Sequence, residues 1–373
     1  MSTTIDRPEA PVPPGPSAAA AETICDRLFR EGAGAFHLLC VYLGDRLGLY
    51  RALADGAPRT AAEVAAATGL DGWYVREWLQ AETTAGLVTA DGEGLANACF
   101  SLADGVGETL VDETSPHYLA GLATAVAVVG QVMPSLVGAF HTGEGVPSAE
   151  YGPEAVDAQA ALNRPAYANS LVPDWLPAIP DVLTRLTDTA RPARIADIGC
   201  GAGWASIELA KAFPHLRVDG FDNDEESIRR ARRHAADHGV SDRVDFEVVD
   251  ASSSYGDRTY DAIFFFECLH DLAHPVEALA SARRALAPGG VVVVMDERVG
   301  ETPPPPGDAI ETFFATASVL WCLPQSRAVP NCQATGTVMR PEMLRTLAER
   351  AGYSAVDVLP VDHPFFRFYH LAV

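Results

Sequence analysis

The chain has 373 residues, 48% of them hydrophobic, and 50 acidic against 27 basic side chains give it a net charge of −23. That length accommodates two domains with a substantial core. The negative surface repels a phosphate backbone and excludes nucleic acid as a general partner, and the seven cysteines include no C-x-x-C pair, so neither a metal site nor a disulfide framework is expected.

Residues 1–20 are Pro- and Ala-rich and read as a disordered tail without a signal peptide, which places the chain in a reducing cytoplasm. Residues 21–111 read as short helices followed by a hairpin. In "AFHLLCVYLGDRLGLYRAL" the apolar residues recur at helical spacing. Thr60 and Glu63 have the spacing of a capping box, Gly69 ends that helix, and Asp71 caps the next, which carries Trp73, Val75, Trp78 and Leu79. "GLVTADGEGLANACFSL" reads as a hairpin turning near Asp91-Gly92. Helix, helix, helix, hairpin is a winged-helix layout. The helix that would read DNA offers Arg76 against Asp71, Glu77 and Glu82, with two tryptophans taken as exposed. That composition suits an oligomer interface better than a DNA groove, so a homodimer through this domain is expected.

Residues 112–190 read as a helical connector, cut by prolines, that reaches over the next domain as a substrate lid. Its stretch from Leu119 to Phe140 is uncharged and long enough to span a bilayer. Gln131, Pro134 and Ser135, with no basic flank, favour a buried helix broken near Pro134 and no membrane association.

Residues 191–373 alternate strand-length apolar runs with helices. The runs are "RIADIG", "RVDGFD", "RVDFEVVD", "YDAIFFFE" and "GGVVVVMDE", and the helices include Glu225–His238 and Val276–Leu286. This alternation predicts a parallel sheet covered on both faces. The last runs, "AVDVLPV" and "FFRFYHLAV", predict an antiparallel pair at one edge. After the first strand comes Gly199-x-Gly201-x-Gly203. The dinucleotide fingerprint would put its third glycine where Trp204 stands. Asp197, Asp222 and Asp250 fall at the ends of consecutive strands, the edge where open α/β sheets bind ligands. Such an array of carboxylates suits a cationic cofactor better than a pyrophosphate.

"ADIGCGAG" and "GFDND" resemble the first and second motifs of the class I S-adenosylmethionine-dependent methyltransferases, and the resemblance runs from about Arg191 to Val373. It implies a Rossmann-like α/β fold, a seven-stranded sheet closed by an antiparallel hairpin, with S-adenosylmethionine as cofactor and S-adenosylhomocysteine as product. By that resemblance Gly199, Cys200, Gly201 and Gly203, with Asp197, lie against the methionine and ribose. Asp222 holds the ribose hydroxyls beside Asn223, Asp250 and Ala251 flank the adenine, and Glu267 is a further cofactor contact.

Glu267-Cys268-Leu269-His270 stands where base-modifying methyltransferases resemble one another in an Asn/Asp-Pro-Pro-aromatic motif, so a small-molecule acceptor is favoured. The whole chain is similar to small-molecule O-methyltransferases of the plant and polyketide-tailoring type. "MDERV", "ATGTVMRP" and "FFRFY" resemble an actinobacterial group of winged-helix methyltransferases. These resemblances imply O-methylation in bacterial secondary metabolism. His270 would be the general base beside Asp271, oriented by Asp296 or Glu297, with Glu267 as another candidate base. Imidazole suits that task because its pKa lies near neutrality.

Two other readings stand beside this one. The first is an N- or C-methyltransferase that relies on proximity and a carboxylate. The second is a winged-helix regulator that senses S-adenosylmethionine or another ligand. Tyr151 and Tyr167 in the connector, and Phe313, Phe314 and Trp321 after the fifth strand, are candidate walls of the acceptor pocket.

Overall fold

Short-range signals set the first domain. Thr60 Oγ1 accepts from the Glu63 N–H, and the Glu63 carboxylate accepts from the Thr60 N–H at 2.7 Å, closing the capping box. Gly69 ends that helix at φ 71°, and the Asp71 carboxylate caps the next by accepting from Trp73 and Tyr74 N–H. The computed structural model describes residues 18–92, 94, 97–302, 307–333, 335–336 and 338–373. Most of the expected tail and the proline run of "ETPPPPGD" therefore lie outside the described residues, whereas Ala18 already begins helix α1.

In this domain α1 is Ala18–Arg46, α2 Leu49–Leu53, α3 Ala61–Thr68, α4 Gly72–Ala85 and α5 Val106–Leu110. The strands β1 (Arg59–Thr60), β2 (Val88–Asp91) and β3 (Cys99–Leu102) pair antiparallel in the order β1-β3-β2. Tyr50, Trp78, Leu79 and Phe100 form the core. The expectation of two exposed tryptophans on α4 holds for only one of them. Trp73 is 70% exposed, but Trp78 is buried and its indole N–H donates to the Cys40 carbonyl at 3.0 Å. Five residues of helix place the two rings on different faces.

The connector contains α6 (Ala120–Thr142), α7 (Ser148–Tyr151), α8 (Pro153–Ala166) and α9 (Pro180–Thr187). The expected break at Pro134 does not occur, because α6 runs through it for 23 residues. A proline forfeits one helical bond and crowds the preceding turn. Packing on both sides of it holds the helix: Val132 and Leu136 are buried with Val146, Tyr151 and Ala155, and the Ser135 hydroxyl donates to Glu150 at 2.6 Å. Nor is the helix fully buried. Val128, Val132 and Leu136 pack inward, while Met133, Val137 and Phe140 face outward. After α8 the chain continues as a π-helical turn, Tyr167–Trp175, that contains Pro173. Its last residue, Trp175, is buried with its ring centroid 4.8 Å from that of Phe368.

The second domain is built on seven strands: β4 (Arg194–Ile198), β5 (Arg217–Asp222), β6 (Val244–Val248), β7 (Tyr260–Phe266), β8 (Leu286–Glu297), β9 (Ala355–Val358) and β10 (Phe366–Ala372). Their order is β6-β5-β4-β7-β8-β10-β9. The first five are parallel, and β10 runs antiparallel to both β8 and β9. Helices α10 (Trp204–Ala212), α11 (Glu225–Asp237), α12 (Pro275–Arg284), α13 (Ala309–Ala317), α14 (Leu323–Arg327) and α15 (Pro341–Arg350) complete the domain. The central strand β7 is buried along its whole length. Phe264 and Phe266 feed one core and Ile263 and Phe265 the other, as strand alternation requires. Strand order reverses between β4 and β7, which opens a crevice at their C-terminal ends.

Two glycines of the turn after β4 differ in how tightly they are held. Gly203 has φ 82°, and an added Cβ would sit 2.6 Å from the Phe246 ring; Gly201 has φ 51° with open space beside it. Gly201→Ala should therefore cost about 1 kcal/mol of backbone strain. Gly203→Ala should cost at least about 2 kcal/mol, because overpacking adds to that strain. Denaturant unfolding of both variants checks the difference.

Candidate active site

The turn after β4 is drawn across the end of β5 by backbone bonds. The N–H groups of Gly199 and Cys200 donate to the Phe221 carbonyl at 2.7 and 3.0 Å. Next to it, Asp222 Oδ2 accepts from the Gly201 N–H and Oδ1 from the Asp224 N–H, both at 2.9 Å. Burial pushes the Asp222 carboxyl up to about 6, against the pull of those two N–H donors. A cavity of about 690 Å³ opens here, with Gly199, Cys200, Gly201, Asp222, Asn223, Asp250 and Ala251 on its wall. Gly203 and Asp197 are not on that wall. Gly203 packs beneath the turn, and Asp197 accepts from the Ser206 hydroxyl at 2.7 Å, with burial raising its carboxyl to about 7. Its chain position is at the strand end, but the side chain alternates inward under α10.

The end of β7 forms the opposite wall. Glu267 has φ 52°, a left-handed backbone that a non-glycine residue rarely adopts, and its N–H donates to the Met295 carbonyl at 2.8 Å. Its side chain lines the cavity, and Oε2 is buried without a hydrogen-bond partner among the described residues. Burial pushes this carboxyl up to about 8, while the His270 charge and the Asn163 amide pull the other way.

His270 is not on the wall. It is 2% exposed, with Nδ1 2.8 Å from Asp296 Oδ1 and 3.0 Å from Glu297 Oε2, and with Nε2 3.3 Å from Asp271 Oδ1. Burial disfavours the charged ring, yet the Asp271, Glu297 and Asp296 carboxylates outweigh it and hold the imidazole well above its ordinary pKa. Burial raises Glu297 strongly, whereas the His270 charge leaves Asp296 below the usual carboxylate value. The acids thus favour the charged ring, which sits behind Asp271, a residue that does line the cavity. Glu297 is buried at 2% exposure and also lies behind the wall.

Of the aromatic candidates, Tyr167 and Trp321 line the cavity. Tyr151 does not. Its hydroxyl donates to the Leu320 carbonyl at 2.8 Å and its ring tilts against Trp321 at 5.2 Å, so it supports the wall from behind. Phe313 and Phe314 lie off the cavity, Phe313 43% exposed and Phe314 buried.

Wall residues that sequence reasoning missed are Gln159 and Asn163 of α8 and Gln325 and Ser326 of α14. Gln159, Asn163 and Tyr167 stand four residues apart on one helical face. That polar stripe was a readable signal.

Residues 191–350 match the family model described as a methyltransferase domain, and residues 35–102 match the one described as an Rv2258c-like winged HTH domain. Trans-aconitate 2-methyltransferase of Streptomyces avermitilis is 34% identical over 113 residues, 30% of this chain and 42% of that protein. The chain thus spans less than half the length of that curated relative. Among solved structures, mitomycin 7-O-methyltransferase aligns over 95% of this chain and 98% of its own, with a TM-score of 0.67 and 23% identity. Human N-acetylserotonin methyltransferase, solved with SAM, aligns over 96% and 99% with a TM-score of 0.67 and 18% identity. These likenesses establish the shared fold.

The raised Glu267 carboxyl makes stability depend on pH. The folded chain keeps a proton on Glu267 up to about 8, whereas the unfolded chain releases it near its ordinary 4.5. Between these values the folded state binds more protons, so stability falls as pH rises. Glu267→Gln should flatten this fall by on the order of a few kcal/mol. Thermal unfolding of both proteins from about pH 6 to about pH 9 measures it; parallel curves would contradict the assignment.

Proposed function

We propose that this chain, which joins a winged helix-turn-helix domain to a methyltransferase domain, is an S-adenosylmethionine-dependent methyltransferase acting on a small molecule. The observation that carries the reading is Asp222, a buried carboxylate fixed by two backbone N–H groups on the wall of a cavity at the sheet's switch point. The residues present fit the cofactor. Asp222 has lone pairs left for a ribose diol, Asp250 and Ala251 stand beside the next strand end, and the glycine turn leaves backbone room. When bound, S-adenosylmethionine supplies an electrophilic methyl group on a sulfonium. Everything else falls to the chain: it must orient the acceptor, exclude water and take up a proton.

Uptake of that proton is assigned to Asp271 rather than to the ring of His270. The ring is held protonated and meets carboxylates at both nitrogens, so it has no free lone pair at neutral pH. Its positive charge steadies Asp271 on the wall. Calorimetry should show that Asp222→Ala weakens S-adenosylmethionine binding by at least about tenfold. Asp271→Asn should keep that affinity and lose turnover. Unchanged affinity in the first variant would remove the basis of the site.

We also propose that a second copy of the chain covers α1. From Ala19 to Arg30 this helix is exposed on every side, and Phe29 and Phe36 are 78% and 76% exposed. A helix without tertiary support is marginal in water, and large exposed apolar patches mark association surfaces. Light scattering should report a dimer, and Phe36→Asp should shift it toward monomer; a monomeric parent protein would overturn the reading.

A further inference from the structure

The charges around the cavity are one-sided. Six carboxylates line it, those of Asp222, Asp224, Glu226, Asp250, Glu267 and Asp271, and among the described residues no Arg or Lys does. Four of them have partners elsewhere. Asp222 is held by backbone N–H groups, Asp224 caps α11, Asp250 accepts from Ser252, and Glu226 pairs with Arg229 and Arg230. Asp271 faces His270.

Glu267 stands apart. It has no cation within ion-pair distance among the described residues, and its Oε2 is buried without a hydrogen-bond partner. Its backbone is in the left-handed region, where a glycine would be more comfortable, so the side chain is held at a conformational cost. Behind it, Asp296 Oδ2 is also a buried oxygen without a hydrogen-bond partner, and His270 is the one ion-paired cation of that cluster among the described residues. Burial and its open Oε2 keep a proton on Glu267, and an ammonium brought against that oxygen would release the proton and leave a neutralised ion pair.

The geometry points to an acceptor that carries a protonated amine, with Glu267 as its counter-charge and specificity-determining residue. This rests on the reading of the cavity as a methyltransferase site and adds the chemical class of the acceptor. Anionic acceptors are disfavoured by the same wall, since a carboxylate ligand would meet several acids and, among the described residues, no guanidinium or ammonium. Gln159 and Asn163 of α8, Tyr167 directly after it, and Trp321 give the body of such a molecule amide and aromatic surface.

The test uses the full chain, saturated with S-adenosylhomocysteine, and three matched probes measured by calorimetry. These are tyramine (cationic), 4-hydroxyphenylethanol (neutral) and 4-hydroxyphenylacetate (anionic). Tyramine should bind about tenfold more tightly than the neutral probe, and the anion most weakly. Glu267→Gln should remove the advantage of tyramine while leaving the neutral probe and S-adenosylhomocysteine as before. Equal binding of tyramine and the alcohol, tightest binding of the anion, or no detectable tyramine binding overturns the proposal. So does a Glu267→Gln protein that loses S-adenosylhomocysteine and keeps its preference for tyramine, because Glu267 would then serve the cofactor. S-adenosylhomocysteine that fails to bind the parent protein would instead sink the methyltransferase reading itself.

Discussion

The buried imidazolium of His270 ties the ends of β7 and β8 together. It sits after β7, and through Nδ1 it meets Asp296 and Glu297, the last two residues of β8. Its carbonyl accepts from the Thr335 hydroxyl at 2.9 Å, which anchors the segment that follows α14. Removing one partner from a buried ion cluster typically costs about 3–5 kcal/mol, because the remaining charges are left uncompensated in a poor solvent. The wall residues Glu267 and Asp271 flank His270 in sequence, so their positions depend on this one cation. The placement of both wall acids and the local stability are therefore coupled at a single ring.

The cavity is composite. Strand ends supply acids and the glycine turn, while α8 and α14 supply amides and the neighbouring Tyr167 and Trp321 supply aromatic surface. The connector is fixed at both ends. Tyr42 of α1 donates to Glu154 of α8 at 2.8 Å, and Arg46 pairs with the same carboxylate. Further along α8, the Arg164 guanidinium lies 4.0 Å over the Trp204 ring, which stacks on His234. The first domain thus holds α8 in place as it passes over the sheet, and any acceptor is enclosed by elements remote in sequence.

What could be read from the sequence was whatever local chemistry decides. The Thr60–Glu63 cap, the Gly69 stop, the alternation along β7 and the strand-to-glycine turn each depend on a few neighbouring residues. The parallel sheet and its antiparallel edge pair were legible in the strand–helix alternation and the last two apolar runs, whereas the strand order came from the structure. What could not be read depended on tertiary partners. Pro134 was absorbed because α6 is packed on both sides of it, and Trp78 was buried because its indole found the Cys40 carbonyl. Asp197 and Asp222 have the same chain context, yet Ser206 draws one under a helix while backbone N–H groups hold the other on the wall. His270 was read as a base from the resemblance and from the pKa of imidazole, and the sequence does not show how many acids surround its ring. In the structure three acidic side chains lie within 3.3 Å of its ring nitrogens and favour the charged form.

The left-handed backbone of Glu267 sets stability and turnover against each other at a single position. Glycine there would relax the backbone and remove a buried carboxyl oxygen without a hydrogen-bond partner, two gains for a folded chain that has no ligand to satisfy. A population selected only for heat resistance would drift toward glycine at this site, whereas one selected for turnover would hold the acid. The frequency of glycine at position 267 after such parallel selections would record how much conformational discomfort the activity requires the protein to keep.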